Sequence, residues 1–116
     1  MIKRLIIAVI AAAALYSCGT VQQPLYSWYD SQDATYKYTK RATEADLNRA
    51  MAQYELVINK QNGTRMTVPP GMNAEYGFLL CKAGKKNEGI ALLKEEMRLY
   101  PESEKFISRI INQLTK

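Results

Sequence analysis

Eleven consecutive apolar residues, Leu5 to Leu15, lie between a basic start (Lys3, Arg4) and the tetrapeptide Leu15-Tyr16-Ser17-Cys18. They divide the chain into a leader and a body. A helix of that length rises about 17 Å, well short of the roughly 30 Å of bilayer hydrocarbon. The leader is therefore expected to be a processed segment, residues 1–17, rather than a retained span. Ordinary secretory cleavage wants small residues at the first and third positions before the cut. For a cut before Cys18 the third position is Leu15, which does not fit that chemistry. What remains is a body of 99 residues (116 less 17), enough for one domain with a modest core.

The basic start, the uncharged apolar run and Leu15-Tyr16-Ser17 before Cys18 resemble a bacterial lipoprotein signal. The resemblance implies lipidation of the Cys18 thiol, and so a membrane anchor. Each buried methylene contributes about 0.8 kcal/mol, so two or three acyl chains hold far more firmly than one. Residues 18–24 then read as lipidated cysteine and tether, polar and closed by Gln22-Gln23-Pro24. No acidic residue precedes Asp30. By resemblance to known sorting patterns, this implies an outer-membrane lipoprotein facing the periplasm.

Composition removes several function classes. There is no histidine, which takes away the commonest general base and metal ligand together. Losing Lys3 and Arg4 leaves 14 basic residues against 11 acidic, a net +3 spread along the chain rather than gathered into a nucleic-acid footprint. No cofactor, metal or small-molecule substrate is indicated. With Cys18 acylated, Cys81 has no disulfide partner and reads as a small hydrophobe within Phe78-Leu79-Leu80-Cys81.

Residues 25–42 are rich in aromatics: Tyr26, Trp28, Tyr29, Tyr36 and Tyr38 include the only tryptophan. Such rings combine large apolar area with a polar tip. Three readings stand here: a strap that fills a groove between helices, a partner-binding surface, or a contact at lipid-headgroup level. Tyr36 and Tyr38 share a face on extended backbone, Tyr26 and Tyr29 on a helix.

From 43 to 116 the pattern is helical. Thr43 with Asp46 marks a start, and Leu47, Ala50, Met51, Tyr54, Val57 and Ile58 form a stripe that ends at Asn62-Gly63. After the stop at Pro69-Pro70-Gly71, helices are expected over Met72–Ala83 and Asn87–Leu99, and a last one from Glu102 or Ser103. That last helix is expected to carry Phe106, Ile107, Ile110, Ile111 and Leu114 on one face. Gly77, Gly84, Gly89 and Pro101 fall at spacings of 7, 5 and 12. These match the close-packing positions, turn and closing proline of a tetratricopeptide unit. An unrelated hairpin with incidental glycines is the alternative. The expected fold class is all-α: a small helical bundle with one tetratricopeptide-like hairpin behind an aromatic-rich segment.

Nothing assembles an active site. The close carboxylates Glu95-Glu96, Glu102 and Glu104 read as solvated helix charges, and adjacent helical positions do not face each other. Ser27, Ser31, Ser103 and Ser108 have no histidine to activate them. A cell-wall hydrolase is thus disfavoured against an interaction module, with a peptidoglycan-associated spacer as the structural alternative.

The Leu25-Tyr26-Ser27-Trp28 start, Tyr36-Lys37-Tyr38, and the run from Val68-Pro69-Pro70-Gly71 to Tyr100-Pro101-Glu102-Ser103 carry a further resemblance. The chain resembles a family of short, functionally uncharacterised bacterial lipoproteins with a domain of unknown function. Members are often encoded beside a CsgG-like lipoprotein and another small lipoprotein. The resemblance implies an accessory of an outer-membrane lipoprotein complex, and it brings no catalytic residues with it.

Overall fold

Among the described residues every regular element is helical. The computed structural model describes residues 1–16, 19 and 21–116, the side chain of Tyr16 excepted. Helix α1 (Ile2–Tyr16) covers most of the segment expected to be processed, and its residues through Leu15 are all exposed. Among the described residues no helix is long and apolar enough to cross a membrane. Ser17 and Cys18, on which the lipidation expectation rests, lie outside the described residues.

The body comprises α2 (Ser31–Arg41), α3 (Glu44–Asn59), α4 (Met72–Lys82), α5 (Lys86–Leu99), a 3-10 turn at Pro101–Ser103 and α6 (Glu104–Thr115). Each helix packs on the next in chain order, α4 against α5 most extensively. This is an all-α bundle of two antiparallel hairpins with a terminal helix.

Helix α2 arises inside the aromatic stretch. Its first turn carries Asp33 and its last carries Lys40 and Arg41, charges that suit the helix dipole at both ends. Ser31 and Ala34 are buried and small enough to let α2 lie close to α3. The helix ends in a left-handed Ala42 (φ 51°). Thr43 then caps α3, its hydroxyl oxygen accepting the Asp46 N–H at 3.1 Å. Ala50, Tyr54 and Val57 from α3 join Met72, Tyr76 and Leu80 from α4 in the core.

Two turns set up the α4–α5 hairpin. Pro69–Met72 is a tight turn with Gly71 at φ +89°, the left-handed geometry that a turn with proline before glycine requires. At the other end of α4, the Gly84 N–H bonds Cys81 O at 3.2 Å and the Lys85 N–H bonds Leu80 O at 2.9 Å, with Gly84 at φ +89°. That is a Schellman cap, which satisfies carbonyls the helix end would otherwise orphan.

Between the two turns the helices touch through Gly77 and Gly89. A Cβ added at Gly89 would stand 2.4 Å from both Gly77 O and Cys81 Sγ. One added at Gly77 would stand 2.6 Å from Gly89 O. Only hydrogen fits at either position. Leu93, fully buried beside this contact, adds about 1.5–3 kcal/mol of burial. Half-buried Cys81 places its Sγ against Gly89 at this crossing, and burial raises the pKa of its thiol, with Lys86 opposing the rise.

On α6, Ile107 is buried and Ile110, Ile111 and Leu114 are half-buried, while Phe106 at the edge of that face is 66% exposed. One expectation needs correction. Glu96, expected among the solvated charges, is 3% exposed. It lies on the stripe Gly89, Leu93, Glu96 that α5 turns inward, and its Oε1 accepts the Gly71 N–H at 2.6 Å.

Candidate functional site: an aromatic cleft

Residues Pro24 to Asp30 form a strap along the loop that follows α3. Thr64 N–H bonds Pro24 O at 3.0 Å and Arg65 N–H bonds Leu25 O at 3.1 Å. The Gln61 amide closes both backbone groups of Ser27, accepting its N–H at 2.9 Å and donating to its C=O at 2.7 Å. Gly63 lies under the strap, where an added Cβ would meet Leu25 O at 2.2 Å. Ser31 then turns the chain into α2, its hydroxyl donating to Trp28 O at 2.7 Å.

This course places Trp28 at the mouth of a cleft of about 400 Å³. Trp28 and Tyr36 wall it, Thr35 and Tyr54 line it, and Met72 and Glu75 close it from α4. A neighbouring hollow of about 190 Å³ shares Thr35, Tyr54 and Glu75 and extends past Tyr38 and Phe78. The two make one groove across α2, α3 and α4, with exposed rings along its rim. Trp28 is 37% and Tyr36 63% exposed. Lys40 lies 5.9 Å from the Tyr36 ring centroid, and Lys82 lies 5.5 Å from that of Phe78. Both are within reach of a cation–π attraction.

A directed hydroxyl chain crosses the groove. Tyr54 OH donates to Glu75 Oε2 at 3.0 Å and lies 2.6 Å from Thr35 Oγ1. With the phenolic proton committed to Glu75, the Thr35 hydroxyl donates to Tyr54. Tyr76 mirrors this from α4, its OH donating to Glu55 Oε1 of α3 at 2.6 Å. Burial pushes the Tyr54 phenol up to about 12; the Glu75 charge adds to the rise and the Thr35 hydrogen bond opposes it. Burial, and then Glu55, push Tyr76 up as well. Both phenols therefore stay protonated at neutral pH and act as hydrogen-bond donors to their carboxylates. Among the described residues no group of three His, Cys, Asp or Glu side chains is placed to hold a metal.

The five aromatics named from sequence separate here. Trp28 and Tyr36 face the cleft together, and Tyr38 lines its extension. Tyr26 stands edge-on to Trp28, with ring centroids 6.0 Å apart at 71°. Tyr29 is spent on the strap, its hydroxyl donating to Lys60 O. Sequence reading missed Thr35, Glu75 and the cleft-facing part of Tyr54. Tyr54 was visible only as one member of the α3 stripe, and the pairing that brings its hydroxyl into the cleft is tertiary.

Residues 25–110 match the model of a family described as a domain of unknown function (DUF4810). No curated protein and no solved structure matches the chain.

Proposed function

Since the chain belongs to the DUF4810 family, whose domain covers the strap, the cleft and both hairpins, we propose that it is a non-catalytic interaction module. In this reading Cys18 carries lipid, the protein sits at the outer membrane facing the periplasm, and it is an accessory of a complex built on another, CsgG-like, outer-membrane lipoprotein. The observation that carries the reading is the aromatic cleft. A large tryptophan held by the strap, an opposing tyrosine and an oriented hydroxyl chain suit an apolar or aromatic segment of a partner. Buried aromatics tend to dominate interface energetics. The leader supports the anchored half of the proposal, because α1 exposes its apolar residues and adds nothing to the core.

Palmitate labelling of wild type and Cys18→Ala in cells, followed by crosslinking and mass spectrometry, tests both halves. Label is expected on wild type alone. The expected crosslinked species is another envelope lipoprotein, and Trp28→Ala lowers its recovery about tenfold, near 1.4 kcal/mol. Arg109→Ala, an exposed change on α6 away from the cleft, changes recovery little. Unlabelled wild type removes the anchor from the proposal. Recovery indifferent to Trp28→Ala removes the cleft.

A further inference from the structure

A second cleft, of about 360 Å³, opens between the start of α4, the end of α5 and the start of α6. It shares no lining residue with the aromatic cleft. Ala74, Tyr100, Phe106 and Ile107 give it apolar and aromatic walls, and Glu96 and Glu102 supply carboxylates. No lysine or arginine is among the described residues that line it. The Tyr100 hydroxyl is already committed to Val68 O, so that residue offers its ring.

Glu96 is the unusual member. It is 3% exposed, one oxygen takes the Gly71 N–H, and Oε2 is buried with no hydrogen-bond partner among the described residues. A buried carboxylate oxygen left unpaired is costly, and a hydrogen-bonding cation relieves that cost. Glu102, exposed beside it, adds a second negative charge at the rim. We propose that this cleft receives an arginine side chain from a partner protein. Its guanidinium would bond Glu96 Oε2 as that carboxylate, closed to solvent in the free protein, turns toward the cleft, with the aliphatic stem lying along Ala74 and Ile107 and the exposed Phe106 ring covering it. Three features select arginine. The cleft lies at the lower end of the size range for small-ligand sites, about 300–1,000 Å³. Its charge is of one sign. A planar cation that bonds a carboxylate while stacking on a ring matches these walls better than a compact ammonium does. The inference does not depend on the aromatic cleft or on lipidation.

The full chain, isotope-labelled in detergent micelles, is titrated with N-acetyl-arginine amide and with its neutral analogue N-acetyl-citrulline amide, and backbone amide shifts are followed by NMR. The arginine compound is expected to shift Gly71, Ala74, Phe106 and Ile107 saturably, and citrulline to bind about tenfold more weakly or less, as a charge-assisted contact requires. Glu96→Gln keeps an acceptor for Gly71 and is expected to weaken arginine binding by about the same factor. Glu102→Lys, an exposed change that leaves the core intact, places a cation at the rim and is expected to abolish binding. Equal binding of arginine and citrulline, or binding unchanged in both variants, overturns the proposal. So does the absence of any saturable shift. Sedimentation that shows self-association sensitive to Glu102→Lys also overturns it, because the occupant is then a second copy of this chain.

Discussion

The two hairpins of this protein are joined by opposite means. In α4–α5 the backbones themselves meet at Gly77 and Gly89, with no room for one further carbon. In α2–α3 small buried residues, Ser31 and Ala34, allow close approach, and side-chain tips supply the polar ties. Arg41 pairs with Asp46 at 2.5 Å, Arg49 with Asp33 at 3.0 Å, and Thr35 with Tyr54 at 2.6 Å. Among the described residues the two Arg–Asp contacts are the ion pairs that cross between helices, and both belong to α2–α3. The contrast teaches where rigidity and adaptability lie. A backbone contact tolerates no change, whereas polar tips rearrange at small cost, and the aromatic cleft is built on the adaptable pair.

The hardest test of that contrast is Gly89→Ala. In an exposed helix this change stabilises by about 1 kcal/mol. Here the new methyl collides with Gly77 O and Cys81 Sγ, so the sign reverses. A loss of about 2–3 kcal/mol is expected by urea denaturation, and a stabilised variant would show that the hairpin can open. Tyr54→Phe probes the other pair. It removes the bonds to Thr35 and Glu75 while keeping the ring, and it should cost about 1 kcal/mol, since exposed Glu75 regains water.

Acid separates the hairpins without mutation. Hydrogen bonds from Lys37 and Arg49 lower the pKa of Asp33, and those from Thr43 and Arg41 lower that of Asp46. A carboxyl depressed in the folded state contributes stability above its unfolded pKa, near 3.9, and loses it as pH falls through the folded value. Hydrogen-exchange protection factors in α2, corrected for the intrinsic exchange rate, should therefore fall below about pH 4, while those of α4–α5, whose acid-sensitive pair Glu95–Arg98 lies within α5 and is exposed, change less. An equal fall in both hairpins would erase the distinction. The smallest effect expected is that of Ala42→Gly. Ala42 holds φ 51° with a side chain, so glycine should raise the melting temperature, by about 0.5–1 kcal/mol in stability.

Much of α3 to α5 was readable from residue order, since capping, glycine and proline rules act locally. Met72 to Lys82 and Lys86 to Leu99 lie within a residue or so of their expected spans. Helix α2 was not readable in the same way. Its sequence is polar apart from rings and alanine, and it buries only Ser31 and Ala34, so its apolar periodicity is faint. The clue lay in charge, with Asp33 early and Lys40 and Arg41 late. Glu96 shows a different limit. Its spacing of seven from Gly89 places it on the inward stripe, but a carboxylate there is recognised only once the Gly71 N–H is seen to meet it. The cleft walls were visible as residue types, and their pairing across the strap was not.

The strap also sets a load path. A pull from the N-terminal side of the body meets the Pro24–Thr64 and Leu25–Arg65 bonds before it reaches α2 or any later helix. Tension then enters the body through the loop behind α3, leaving α2 slack and the tryptophan behind it undisturbed while the chain is stretched.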